Sequence, residues 1–207
     1  MRVRPQFVAI VGGSGSGKTW LADRLQSELG LLAGRISLDS FYRDLSHRPF
    51  ARRARVNFDH PRSIDWTLFI ETLRRCNEEK KVPLPRYDFA THTRSKRSLS
   101  WQRRPLILVD GLWLLSRPLL RRMFALTLFL DCSEPLRLQR RIRRDVIQRN
   151  RTRASVREQF VQSVLPMHRR FVQPQRELAG VVLKRAPSRK QIASLARRIR
   201  SLVLPAP

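Results

Sequence analysis

The chain has 207 residues with 42% hydrophobic content, enough to bury one sizeable core within a single domain spanning 1–207. Its 43 Lys and Arg against 16 Asp and Glu give a formal net charge of +27 and a pI near 11.9. No apolar run approaches the ~18–20 residues of a membrane-crossing helix, and Phe7–Val11 is too short for a secretory leader core. Cys76 and Cys132 stand far apart without CxxC spacing, so both are expected as reduced thiols in a cytoplasmic protein.

The charge has two readings. It suggests nucleic acid, an anionic surface or polyphosphate ligands. It also fits a compositional bias, because nearly all of it is Arg, with Lys only at 18, 80, 81, 96, 184 and 190. Aromatic residues do not interleave with the arginines as a base-stacking platform requires. Nucleic-acid binding is therefore the rival rather than the leading expectation.

In chain order, Phe7-Val-Ala-Ile-Val11 reads as a fully buried strand, being a continuous apolar run ended by glycines. A helix is expected from Gly17 to Leu29, and a second strand from Arg35 to Leu38 ending at Asp39. Arg43–Pro61 reads as a loop with room for a short helix. Ser63–Cys76 reads as a helix capped by Ser63. Val82–Phe89 and Thr93–Trp101 form a predicted β-hairpin, about 82–101, kept at an edge by its prolines.

Pro105–Asp110 and Ala125–Asp131 are two further buried strands. Ser133-Glu-Pro135 opens a helix to about Arg149, with Leu138, Ile142 and Val146 predicted as its packed stripe and Arg137, Arg140, Arg141 and Arg144 on the other side. A break near Asn150, a helix from Ser155 to Val172, a strand at Val181–Leu183 and a helix from Ser188 to about Val203 follow. Strands alternating with helices imply an α/β fold, a parallel sheet covered by helices on both faces.

Gly12-Gly13-Ser14-Gly15-Ser16-Gly17-Lys18-Thr19 satisfies G-x-x-x-x-G-K-[ST] between a predicted strand and helix, the context this phosphate loop demands. Glycines let successive backbone N–H groups turn toward a phosphate, and the helix N-terminus adds partial positive charge. Lys18 can then bridge the β- and γ-phosphates of ATP, and Thr19 can ligate Mg²⁺. Asp110, closing an apolar strand, has the Walker B pattern of a second Mg²⁺-side residue or is an ordinary strand-terminating acid. Asp39 would lie beside the loop at the sheet's C-terminal edge, where α/β ligands bind. It can serve as a base toward an attacking hydroxyl, or as a helix cap.

Asp39-Ser-Phe-Tyr42, Asn57-Phe-Asp-His-Pro61, Tyr87-Asp-Phe89 followed by His92-Thr-Arg94, and Arg140-Arg-Ile-Arg-Arg-Asp145 closely resemble the motifs of the uridine kinase (uridine–cytidine kinase) family. They follow its order and rough spacing over about residues 6 to 185. The resemblance implies a P-loop kinase fold with a β-hairpin and an Arg-rich lid at about 145–155. It also implies transfer of the γ-phosphate of ATP or GTP to the 5′-hydroxyl of uridine or cytidine, with Mg²⁺, in pyrimidine salvage.

By the same resemblance, Asp39 is the base on the 5′-hydroxyl, and Asp59 binds the ribose with support from Arg141 and Gln159. Tyr87, His92 and Arg151 meet the pyrimidine edge between Phe58 and Phe89, while Arg144 and Arg149 approach the phosphates. A homotetramer and feedback inhibition by UTP or CTP are implied likewise. Two positions depart from the family pattern, which usually has Glu-Gly at Asp110-Gly111 and Gly at Asn150. The shorter acid can hold Mg²⁺ through water. The alternatives are a related kinase of another hydroxylated metabolite, or a basic nucleic-acid-binding protein with a degenerate loop. Intact Lys18, Thr19, Asp39 and Asp110 argue against degeneracy. Arg53 and Arg198 fall outside every motif.

Overall fold

A computed structural model describes residues 4–149 and 151–204; the expected break at Asn150 lies outside the described residues. In chain order the elements begin with β1 (Gln6–Gly12), α1 (Lys18–Leu29), β2 (Ala33–Ser37), a single turn α2 (Phe50–Arg53) and α3 (Trp66–Glu78). Four short strands follow: β3 (Lys81–Leu84), β4 (Tyr87–Asp88), β5 (Thr93–Arg94) and β6 (Leu99–Gln102). Then come β7 (Leu106–Gly111), α4 (Pro118–Arg121), β8 (Phe124–Leu130), α5 (Glu134–Arg149), α6 (Arg153–Gln159), α7 (Leu165–Met167), β9 (Val181–Leu183) and α8 (Arg189–Arg200).

Five strands form one sheet in the order β2-β7-β1-β8-β9, every neighbouring pair parallel. The unbroken apolar run of β1 follows from this position, because both faces are covered. Phe7, Ala9 and Val11 pack with Phe41, Phe69 and Trp113 on one side. Val8 and Ile10 pack with Leu21 and Leu25 of α1 and Ile192 and Ile199 of α8 on the other. The register pairs Val11 with Gly111 and Ser37 with Asp110. The phosphate loop, Asp39 and Asp110 therefore emerge together at the C-terminal edge of the sheet, where ligands of such sheets bind.

Several expectations are corrected. The helix after Pro61 starts at Trp66, not Ser63: Asp65 is its cap, accepting from the Leu68 amide, and Ser63 instead bonds the carbonyl of His60. The hairpin divides into two ladders, β3/β6 and β4/β5. Two residues, Pro85 and Arg86, face four on the returning strand, and Pro85 has no N–H to continue the ladder. The helical run from Arg153 is capped by Thr152 and passes through two π-helical segments, Phe160–Val164 and His168–Val172. On α5 the predicted faces hold only in part: Leu138 packs against Phe160, Val164 and Leu165, but the predicted stripe is not the buried face. Arg137, Arg141 and Asp145 are its buried residues, whereas Val146 is exposed. Ion pairs and hydrogen bonds hold Arg141 and Asp145 there, Arg137 packs over the Phe160 ring, and the apolar stripe is only partly covered.

Candidate active site

The phosphate loop joins β1 to α1 with Gly15 at φ 81° and Gly17 at φ 96°, left-handed conformations that glycine adopts without strain. A Cβ at Gly15 would lie 2.4 Å from the Arg137 carbonyl oxygen, so the loop cannot carry a side chain there and keep its seat on α5. Two α5 arginines hold the loop by hydrogen bonds, and a third, Arg137, is buried against it with its Nε and Nη1 unpartnered. Arg141 Nη1 donates to Ser14 Oγ at 2.8 Å, and Arg140 Nη1 donates to the Ser16 carbonyl at 3.1 Å. Arg137 is 2% exposed, with its guanidinium over the Phe160 ring at 5.6 Å. Arg137 and Arg140 therefore do not belong to a solvated face.

Lys18 is buried, and burial pulls its pKa down against the opposing charges of Asp39 and Asp110. Asp39 sits in the short 3₁₀ turn after β2, not at a helix cap. Its Oδ1 is buried without a hydrogen-bond partner. Burial raises its pKa, and the Lys18 charge only partly offsets this. A carboxylate held so is a competent proton acceptor, with one oxygen free and its basicity increased.

Thr19 Oγ1 donates to Asp110 Oδ2 at 3.3 Å, bringing together the two residues expected on the metal side. Ser37 Oγ lies 3.4 Å from the same oxygen. Arg35 Nε donates to Asp110 Oδ1 at 2.9 Å, a partner that sequence reasoning missed. A hydroxyl beside a carboxylate is the sparse protein donor set that Mg²⁺ takes when phosphate oxygens complete its shell. The Ser16 hydroxyl, buried without a partner in the loop, is a further polar atom awaiting an anion. The residues present thus fit Mg²⁺ with a nucleotide.

The second half of the site is built around Asp59. Its Oδ1 lies 3.7 Å from Arg141 Nη1, and Ser163 Oγ is 3.4 Å from Oδ2. Burial raises its pKa against the charge of Arg141. Arg141 also donates from Nη2 to Gln159 Oε1 at 3.0 Å, so one guanidinium connects the phosphate loop, Asp59 and Gln159. Arg151 reaches the same Gln159 oxygen and the Ser155 carbonyl, which joins it to the Arg141–Gln159 side of the site.

Asp145 anchors the cluster from below. Burial works to raise its pKa, but the Arg144 hydrogen bond and the charges of Arg144, Arg141 and Arg149 hold it lower. Arg144 Nε bonds it at 2.8 Å and Arg149 Nε lies at 3.6 Å. Arg144 also acts electrostatically on Lys18, Asp39 and Asp59, which sets the two halves within one field.

Phe58, Tyr87, Phe89 and His92 come together as expected. Tyr42 stands at their centre, 5.6, 5.2 and 6.2 Å from the Phe58, Tyr87 and Phe89 rings, its hydroxyl bonded to the Phe58 carbonyl. His92 stacks on Phe58 at 4.6 Å and faces Phe50 at 6.3 Å. Burial, then Arg53 and Arg149, lower its pKa, leaving a neutral imidazole that donates through one nitrogen and accepts through the other. Arg149 lies over Phe89 at 5.0 Å. Arg53, outside every motif, nevertheless borders this pocket through Phe50. Asp145 was detectable beforehand, standing four residues after Arg141 on one helical face. Nothing local marks Ser163 or Arg35.

A glycine-rich phosphate loop and two flanking acids at the edge of a parallel sheet, enclosed by arginines from a neighbouring helix, define a P-loop kinase. The chain belongs to the phosphoribulokinase / uridine kinase family, whose model matches residues 7–192. It is 39% identical over 183 residues to a uridine kinase of Chloroflexus aurantiacus, covering 88% of each chain. It is 35% identical over 199 residues to a uridine kinase of Staphylococcus epidermidis, covering 95% of this chain and 96% of the relative. Among solved structures, a possible uridine kinase from Bacillus stearothermophilus shares the fold at TM-score 0.62 and 20% identity, over 89% of this chain and 91% of that one. A putative fructose transport system kinase from Silicibacter does so at TM-score 0.73 and 18% identity, over 88% and 91%.

Proposed function

We propose that this chain is a uridine kinase, transferring the γ-phosphoryl group of ATP or GTP to the 5′-hydroxyl of uridine or cytidine. The observation that carries the proposal is the pairing of two half-buried carboxylates in one cleft. Asp39 stands beside Lys18 with a free oxygen, and Asp59 stands beside Arg141 and the aromatic pocket. The first suits a hydroxyl that must lose its proton, and the second suits the vicinal hydroxyls of a ribose.

In this mechanism, backbone N–H groups of Gly13–Lys18 and the Lys18 ammonium hold the β- and γ-phosphates. Thr19 and Asp110 would hold Mg²⁺, which would supply neutralisation of charge on the phosphate oxygens. Asp59 and Gln159 fix the ribose, and His92 with Tyr87 faces the pyrimidine between Phe58 and Phe89. Asp39 accepts the 5′-hydroxyl proton as that oxygen attacks. Arg144 and Arg149 stabilise negative charge on the transferring group, since this chemistry rests on positioning and electrostatics. The same reading takes the whole chain as one kinase domain, acting in the cytoplasm on small molecules and assembling as a homo-oligomer. Among the described residues no helix is long and apolar enough to cross a membrane.

ADP release by the purified chain with Mg-ATP, measured across nucleosides, sugars and hydroxy acids, tests the proposal. Turnover confined to uridine and cytidine supports it. Turnover with a different alcohol, or none alongside tight salt-sensitive binding to nucleic acid, overturns it.

A further inference from the structure

Asp110 is the shorter of the two acids that can end this strand, and it carries an ion pair that competes with a metal. Its carboxylate is fully buried. Ser37 and Asp110 are register partners on β2 and β7, and Arg35, two residues before Ser37, projects from the same face of β2. Arg35 Nε therefore meets Asp110 Oδ1 at 2.9 Å, while its Nη1 bonds Asp23 on α1. Asp23 lies four residues after Thr19, on the same face of α1. Arg35 is thus tied at both ends, and only Oδ2 of Asp110 faces the phosphate loop, where the Thr19 and Ser37 hydroxyls already approach it.

We propose that Arg35 is a positioning residue that neutralises Asp110 and keeps its carboxylate from holding a divalent cation in the absence of nucleotide. Two consequences follow from the geometry. With one oxygen committed and its charge offset, Asp110 offers little to a lone cation, so the metal enters with the phosphate oxygens of the nucleotide. In the loaded site Asp110 contributes through Oδ2 alone, by way of Thr19 or water. The inference rests on the kinase reading above for the place of the metal.

Mn²⁺ binding to the nucleotide-free protein, followed by electron paramagnetic resonance, tests it. The wild type is expected to bind Mn²⁺ weakly. Arg35→Met and Arg35→Gln should bind at least ~10-fold tighter, the scale on which outer partners tune metal sites. Adding Asp110→Asn should abolish that gain, and kcat of the single variants should fall. Asp23→Asn, which leaves the Arg35–Asp110 pair in place and removes only the second acid that shares the guanidinium, should bind Mn²⁺ no more tightly than the wild type. Arg35→Lys, which keeps the charge but loses the Nε–Oδ1 bond, should show a smaller gain and covers the case in which the other Arg35 variants fold poorly. No gain in both Arg35→Gln and Arg35→Lys, a gain in Asp23→Asn, or a gain that survives Asp110→Asn, refutes the assignment. A wild type inactive on every alcohol would defeat the kinase reading instead, and the Mn²⁺ comparison would still decide the role of Arg35.

Discussion

Replacing Asp39 by Asn should stop the chemistry and stabilise the fold at the same time. The substitution keeps the shape of the side chain and removes its basicity, and loss of a general base lowers kcat by about 10²–10⁴. Burial holds the Asp39 carboxyl above its ordinary value of 3.8, with Lys18 opposing. The folded state therefore binds this proton more tightly than the unfolded chain. Its contribution to stability is present below the unfolded pKa and is lost as pH rises through the folded one. At neutral pH the ionised carboxylate is a net penalty that Asn removes, with a gain on the order of 0.5–2 kcal/mol. A chain of this size gains about 2–4 °C in Tm per kcal/mol. Activity has the opposite dependence, because the base must be ionised: the acid limb of kcat/KM, which reports the free enzyme, should be displaced upward from that of an ordinary carboxylate. Stopped-time ADP assays and thermal melts of both proteins between pH 4 and 8 provide the readout. Near wild-type turnover in Asp39→Asn, or a lower Tm at neutral pH, would refute the role assigned to its buried, unpartnered oxygen.

Asp145→Asn should destabilise the protein by about 3 kcal/mol at neutral pH, because it leaves three arginines without their shared buried acid. Its pKa is held low, so that stability is present above the unfolded pKa and lost as pH falls; urea titrations should show the gap to wild type closing in acid. Arg141→Ala should lower kcat/KM by at least ~10²-fold, whereas Arg198→Ala, exposed on α8, should leave it unchanged; equal losses in steady-state kinetics would point to a diffuse field. Asp59→Ala should reduce discrimination between uridine and deoxyuridine, which can reach ~10⁴ when a buried acceptor is left unpaired. Parallel kcat/KM values for both substrates check this.

The strands, α1 and the phosphate loop were legible because each is signalled locally, by apolar runs closed by glycine or by a motif whose spacing is itself the geometry. The aromatic pocket and Asp59 were legible only through several separated motifs taken together. What escaped detection depends on partners distant in sequence. Arg35 meets Asp110 across 75 positions, and only the β2–β7 register brings them together. The buried face of α5 was misjudged because hydrophobic periodicity assumes that only apolar side chains go inward; Leu138 does, but Arg137, Arg141 and Asp145 are the residues most buried. There, Arg141 satisfies Ser14, Gln159 and Asp59, so burying charge is sustained by paired partners. Ser63 looked like a cap, but Asp65 is nearer the helix start and bonds the Leu68 amide. Arg53, placed outside the site by motif, borders it through Phe50.

The central claim is phosphorylation at the 5′ position of a pyrimidine ribonucleoside, and ³¹P NMR of the product formed from Mg-ATP and uridine tests it most directly. The account predicts a 5′-monophosphate resonance growing with ADP, the same from cytidine, and none from 5′-deoxyuridine or adenosine. A product phosphorylated at the 2′- or 3′-hydroxyl, or adenosine reacting faster than uridine, would contradict it.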